Sequence, residues 1–197
     1  MDCSDTEDAH CYNSQALLSN LKELNTKIKN GEKIDGINIS LSLNMDYKKI
    51  NSMKNTHFNL KSKNPEFLTT LNAIKTIEKI TSNNVPVFVA AGNYDDSFNA
   101  LGLADKTTVV GGTYRNTKVS MFSQNSTVNA WDESIWPVNP IISDDKKVVG
   151  YDVTNDGILD IPASATSSNG KCEKKDITIG GTSIAAPNHF RKYLEQR

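Results

Sequence analysis

Residues 85–93 read Val-Pro-Val-Phe-Val-Ala-Ala-Gly-Asn. A strand with one wet face alternates apolar and polar residues; this run does not. A strand apolar on both sides is buried on both faces, as in a parallel sheet between layers of helices. The neighbouring segments supply those layers. Pro65 and Glu66 open a helical stretch, 65–80, with Phe67, Leu68, Leu71, Ile74, Ile77 and Ile80 on one face. Residues 14–30 space Leu17, Leu18, Leu21, Leu24 and Ile28 as a helix does, and Gly31 follows as a stop signal.

Between these helices, residues 34–44 alternate Ile37, Ile39, Leu41 and Leu43, the pattern of a strand. Residues 106–113 read as a second buried strand ending in glycines, and 118–123 and 157–162 as short strands. Residues 45–64 are polar, a loop or weak helix. Scattered Pro, Asn and Asp make 124–156 an insertion or long loop. From Ser183 onward the chain is again helical, with Pro187 tolerated near the start. Helix, strand, helix, strand, strand, helix predicts an α/β, three-layer domain with a mainly parallel sheet. At 197 residues the chain is long enough for one such domain, 1–197.

Charge and cysteine content exclude several classes. A net charge of −1 gives nucleic acid or an anionic membrane nothing to hold. No apolar run nears the ~20 residues that span a bilayer. The acidic N-terminus, with Asp2, Asp5, Glu7 and Asp8, reads as a solvated tail; it has no signal-peptide core, so the protein is cytoplasmic or a leader has been removed. Cys3, Cys11 and Cys172 form no zinc pattern; free thiols are the expectation, with a Cys3–Cys11 bridge as the alternative.

The chemistry concentrates in Thr-Ile-Gly-Gly-Thr-Ser-Ile-Ala-Ala-Pro, 178–187. Ser183 stands where a helix begins, so backbone N–H groups converge on its surroundings. Gly180 and Gly181 remove side chains that would block an approaching substrate. A serine hydroxyl needs a base, and the oxyanion it creates needs preorganised donors. Asn93, at the end of the apolar run, offers an amide NH₂. An ordinary helix cap at Thr182-Ser183 and a simple Gly92-Asn93 turn are the competing readings.

Taken together, Gly-Thr-Ser-Ile-Ala-Ala-Pro, Val-Pro-Val-Phe-Val-Ala-Ala-Gly-Asn and Asp-Gly-Ile-Asn-Ile-Ser-Leu-Ser resemble the subtilisin-like serine peptidases, in that family's order. Thr-Thr-Val-Val-Gly-Gly-Thr, Ser-Met-Phe-Ser and Leu-Asp-Ile-Pro-Ala extend the resemblance to about 14–123 and 157–190. It implies a subtilisin-like fold, Ser183 as nucleophile and Asn93 as oxyanion donor. Ser40, Leu41 and Ser42 would pair with an extended peptide as an added strand. Ala90, Ala91 and Gly92 would line the pocket ahead of the cleaved bond, with Gly181 and Thr182 also meeting substrate. The family's location is mostly secreted.

The family orders its triad Asp, His, Ser, and its Asp-[Ser/Thr]-Gly and His-Gly-x-x-Val-Ala-Gly motifs are not found here. Asp35 belongs to the strand that matches Asp-Gly-Ile-Asn-Ile-Ser, and His57, His10 and His189 lack the surroundings of a catalytic base; each reads as a surface histidine. The chain therefore resembles a family member incomplete at both ends. In subtilisin, losing the histidine alone costs about 10⁶ in turnover, so the expectation is a near-inert endopeptidase domain that still binds peptides. The alternative is a pseudopeptidase, a non-catalytic peptide-binding or scaffold domain.

Residues 152–160, Asp-Val-Thr-Asn-Asp-Gly-Ile-Leu-Asp, also follow a calcium-loop pattern, with Asp152, Thr154, Asp156 and Asp160 as oxygen donors and the Ile158 carbonyl beside them. Ala163 stands where a bidentate glutamate is usual, so weak calcium binding, or none, is expected; an Asp/Asn/Gly turn is the competing reading. No other cofactor is implied.

Overall fold

A computed structural model of the chain describes residues 9–46, 65–93, 97–114, 118–119, 126–131, 133–137, 139–152, 155–163 and 176–197. They fall into two compact units, one of Met1–Asp132 with Gly181–Arg197, the other of Glu133–Gly180.

The first unit contains α1 (Ala9–Lys29), β1 (Ile37–Ile39), β2 (Asn44–Asp46), α2 (Pro65–Ser82), β3 (Val87–Ala90), β4 (Ser97–Asn99), a 3₁₀ turn (Ala100–Leu103), β5 (Thr107–Tyr114), β6 (Lys118–Val119), β7 (Val128–Trp131) and, after the second unit, α3 (Thr182–Glu195). Strands β1, β3, β5 and β7 run parallel, with Ile37 opposite Val87, Val87 opposite Thr107 and Val110 opposite Val128; β6 returns antiparallel along the end of β5. This is the mainly parallel α/β architecture that the apolar run demanded.

The two faces of β3 explain its composition. Val87 and Val89 face a core built from Leu17 and Leu21 of α1 and from Leu71, Ile74, Ile77 and Ile80 of α2. Phe88 and Ala90 face the other way, with Val110, Ala130, and Ala185 and Ala186 of α3. The sheet therefore has helices on both sides, and each large aliphatic side chain buried this way contributes ~1.5–3 kcal/mol. Helix α1 ends where expected, at Gly31, whose φ of 88° suits a residue without a Cβ.

Helix α3 runs opposite to the strands. Its start meets the carboxyl end of β3, as described below, and its far end meets the entry to β1. There the Arg197 guanidinium donates to the Asp35 carbonyl at 3.2 Å, pairs with the Asp35 carboxylate at 3.4 Å, and lies 5.1 Å from the centre of the Tyr193 ring. A Cβ on Gly36 would come within 2.7 Å of the Phe190 ring, so only glycine lets α3 lie this close to the chain.

Two expectations are revised. The alternation from Ile37 to Leu43 does not make one strand. Ile37 and Ile39 are in the core, but Leu41 is 46% exposed, and residues beyond it leave β1 to form β2, antiparallel to β4. The irregular stretch expected at 124–156 contains β7 and, in the second unit, β8 (Glu133–Pro137), β9 (Asn139–Ile142) and β10 (Val148–Asp152). These strands have four or five residues each, too few to show a sustained period, and pairing completes them. β8 pairs antiparallel with β12 (Asp176–Gly180), and β10 lies between β9 and β11 (Ile161–Pro162). Residues 47–64 and 120–123 lie outside the described residues. Among those described, no helix is long and apolar enough to cross a membrane.

Candidate active site

The carboxyl edge of a parallel sheet is where α/β proteins bind ligands, because the strand ends and helix starts open a crevice there. In this chain the edge is built from the end of β3, the start of α3 and the segment following β1. After Ala90, the Ala91 N–H still reaches the Val110 carbonyl at 2.9 Å. Gly92 then takes φ 107°, which turns the chain out of the sheet and leaves Asn93 exposed.

Asn93 meets the start of α3. Its Oδ1 accepts from the Thr182 N–H at 2.9 Å and lies 3.0 Å from the Thr182 hydroxyl. That hydroxyl also accepts from the Gly92 N–H at 3.0 Å and stands 3.1 Å from the Gly92 carbonyl, so its single proton serves one of two acceptors. With Oδ1 committed to Thr182, the donor end of the Asn93 amide is set by elimination. Asn93 Nδ2 would lie 3.1 Å from a Cβ on Gly181. Gly181, at φ 152°, carries none, and the space goes to the amide.

Ser183 is exposed in the first turn of α3, directly after Thr182. Ile184 is the first residue of the turn whose N–H reaches the Gly181 carbonyl, at 2.9 Å. The Thr182 N–H goes to Asn93, and the Ser183 N–H belongs to the group of amides that a helix start cannot satisfy internally. A serine hydroxyl, a backbone N–H and an asparagine amide from a site 90 residues earlier thus share one corner of the sheet.

Several of the residues expected to touch substrate are buried. Thr182 is 1% exposed, and its polar atoms are used on Gly92 and Asn93; it positions the amide from below. Ala90 and Ala91, 2% and 1% exposed, have their methyl groups in the core. Gly92 and Gly181 are buried backbone. Ser40 accepts from the Asn38 amide at 2.9 Å, while Leu41 is exposed. Sequence reasoning missed Asn99 altogether. It is 1% exposed and hydrogen-bonds both to the segment following β1 and to the end of β3. Only its position next to the apolar Ala100-Leu101 would have hinted that it is buried.

Asp35 and His189 do not join Ser183. Asp35 is held by Arg197 beyond the far end of α3, a helix of 14 residues and so about 20 Å long. His189 packs on Phe88 with ring centres 5.6 Å apart. The side chains of His10 and His57 lie outside the described residues, as do those of Cys3, Cys11 and Cys172. Burial, and secondarily the charge of Lys192, hold the His189 imidazole below its ordinary pKa. The unfolded imidazole titrates at the ordinary value and the folded one lower, so the unfolded chain takes the extra proton first. The contribution of His189 is therefore fully present above its ordinary pKa and declines as pH falls towards the folded value. An NMR pH titration should find His189 protonating below a random-coil histidine.

Two of the calcium-loop carboxylates, those of Asp152 and Asp156, bond to the backbone of their own turn. Asp152 is 4% exposed, and its carboxylate accepts from the N–H groups of Asn155 at 2.6 Å, Asp156 at 3.3 Å and Gly157 at 2.9 Å. Asp156 accepts from the Ile158 N–H at 2.8 Å, Asp160 is exposed, and Thr154 lies outside the described residues. Among the described residues no group of three His, Cys, Asp or Glu could hold a metal ion. Asp152 closes a turn whose backbone donors it satisfies.

No family model matches the chain, and no curated protein matches it. Solved structures similar to it include two maturation proteases. One is the prenylagaramide maturation protease PagA, with a TM-score of 0.45 and 17% identity, over 88% of this chain and 46% of that one. The other is the patellamide maturation protease PatG, with a TM-score of 0.45 and 16% identity, over 92% of this chain and 43% of that one. The chain spans less than half the length of either.

Proposed function

We propose that this chain carries the nucleophile and oxyanion half of a subtilisin-like serine peptidase site that acts on extended peptides. Ser183 Oγ attacks the scissile carbonyl, and the oxyanion lies between the Ser183 N–H and the Asn93 NH₂. Ser40, Leu41 and Ser42 flank the residues ahead of the cleaved bond. The observation that supports this most is the commitment of Asn93 Oδ1 to Thr182, the residue before Ser183, which leaves the NH₂ end of the amide as the group free to donate. The proton acceptor for Ser183 has to come from outside the described residues, since His189 serves the packing of α3.

A peptide boronic acid tests this reading without requiring turnover. A bond forms between Ser183 Oγ and boron, the hydroxyl proton leaves to solvent or base, and the negative charge on the tetrahedral boronate occupies the oxyanion position. No leaving group has to be protonated. An acetylated tetra-alanine boronic acid should bind at least about tenfold more tightly than the matching carboxamide, with ¹¹B NMR showing tetrahedral boron, and Ser183→Ala should remove the difference. Equal binding of the two would favour a non-catalytic peptide-binding domain. No binding of either would end both readings.

A further inference from the structure

Asn99 has every hydrogen-bonding position of its side chain in use. Nδ2 donates to the Leu41 carbonyl at 2.9 Å and the Ala90 carbonyl at 2.8 Å. Oδ1 accepts from the Leu43 N–H at 3.2 Å and the Leu101 N–H at 3.1 Å. Its own backbone N–H reaches the Ala91 carbonyl at 3.0 Å. This amide therefore binds two segments, residues 41–43 and 90–91, which are about fifty residues apart in the chain.

The pattern on 41–43 is specific. A residue in a parallel strand bonds the carbonyl before, and the N–H after, a single residue of its neighbour. The Asn99 amide does the same around Ser42, using the Leu41 carbonyl and the Leu43 N–H. It replaces one residue of an adjoining strand, so residues 41–43 are held extended with their other edge turned away from Asn99. The same NH₂ group holds the carbonyl of Ala90, three residues before Asn93. The peptide-pairing edge and the oxyanion donor are thereby referred to one rigid, buried group.

We infer that Asn99 is a positioning residue that sets the separation between the segment at 40–42 and the oxyanion donor at Asn93. It thereby determines how much affinity a ligand gains from the residues ahead of the reacting carbon. The inference rests on the peptidase-like reading of the site. It assigns Asn99 no contact with the reacting atoms, only control of the geometry that a longer peptide exploits.

The test uses the intact chain and acetylated alanine boronic acids of one, two and four residues. In the wild type, affinity should rise about tenfold from one residue to four, as a few added hydrogen bonds each contribute modestly. In Asn99→Ala and Asn99→Ser the rise should flatten to within about twofold, while the single-residue compound binds within about threefold of wild type. Asn99→Asp keeps the acceptors for Leu43 and Leu101 but turns a carboxylate on two carbonyls. Protonation returns one donor, so this variant should recover part of the length dependence at pH 5 relative to pH 8. General loosening of the fold would weaken all lengths alike and would show no such recovery. If the variants keep the wild-type length dependence, or lose the single-residue compound equally, the inference fails. A wild type that captures the single-residue compound but gains nothing with length also overturns it, leaving the peptidase reading in place. A wild type that captures no boronic acid removes the peptidase reading and this inference with it.

Discussion

Asn93→Leu should weaken capture of the tetra-alanine boronic acid by about 10²–10³-fold while leaving the carboxamide within about twofold. A donor aimed at developing negative charge has this worth when it is preorganised, and an exposed donor free to rotate does not. Asn93 is exposed but not free to rotate, because the Thr182 N–H donates to its oxygen at 2.9 Å, with the Thr182 hydroxyl 3.0 Å from the same atom. The two ligands differ only at the reacting group, boron in one and a carboxamide carbon in the other, so loss confined to the boronate isolates the interaction with charge. Leucine also removes the acceptor for the Thr182 N–H, and Asn93→Asp separates the two effects. Aspartate keeps an oxygen for Thr182 and replaces the donor with a negative charge, so it should bind the boronate no better than leucine does. Titration of the three proteins with both ligands is the measurement. An aspartate variant that binds the boronate as well as wild type would exclude Asn93 as the oxyanion donor.

How far the sequence announces this arrangement depends on the range of the interactions that create it. Val87, Phe88, Val89 and Ala90 are legible as a doubly covered strand because the pattern lies within the strand itself. Leu71, Ile74, Ile77 and Ile80 are legible for the same reason, since their spacing alone marks a helix face. Ser183 and Asn93 stand out because adjacent glycines and alanines serve a local geometry. The parts played by Thr182 and Asn99 cannot be read in this way. Polar residues gain meaning in the interior only through partners, and those of Thr182 lie 89 and 90 residues away while those of Asn99 reach back 56 and 58. The short strands of 133–152 fall under the same limit: with few residues each, they are defined by the strands they pair with. The early end of β1 has the same origin, because Asn99 draws residues 41–43 off the line that the alternation of Ile37 and Ile39 suggests.

The second large effect concerns the support beneath the site. Phe88 is 4% exposed and its ring meets three residues of α3, with centres 5.6 Å from His189, 5.4 Å from Phe190 and 5.1 Å from Tyr193. The rings of His189, Phe190 and Tyr193 are anchored on the helix backbone and Ala185 and Ala186 carry only methyl groups, so the space left by the ring is refilled only in part. Phe88→Ala should therefore cost about 3–5 kcal/mol, the usual range for a core aromatic truncated to a methyl. Leu194→Ala, at a position 41% exposed on the same helix, should stay within about 0.5 kcal/mol. Denaturant melts of the two variants against wild type measure both. The site adds a second reading of the same change. Helix α3 is attached at its start by Thr182 and Asn93, at its end by Arg197 and Asp35, and along its length by Phe88. Removing the middle attachment while both ends hold lets the helix shift relative to β3, and Ser183 moves relative to Asn93. Boronate capture by Phe88→Ala should then fall more than carboxamide binding even in buffer where the variant is folded, because only the boronate requires both groups in register. If the variant loses stability yet keeps the full preference for boronate, the end attachments alone hold the register of Ser183 and Asn93, and Phe88 contributes stability without positioning.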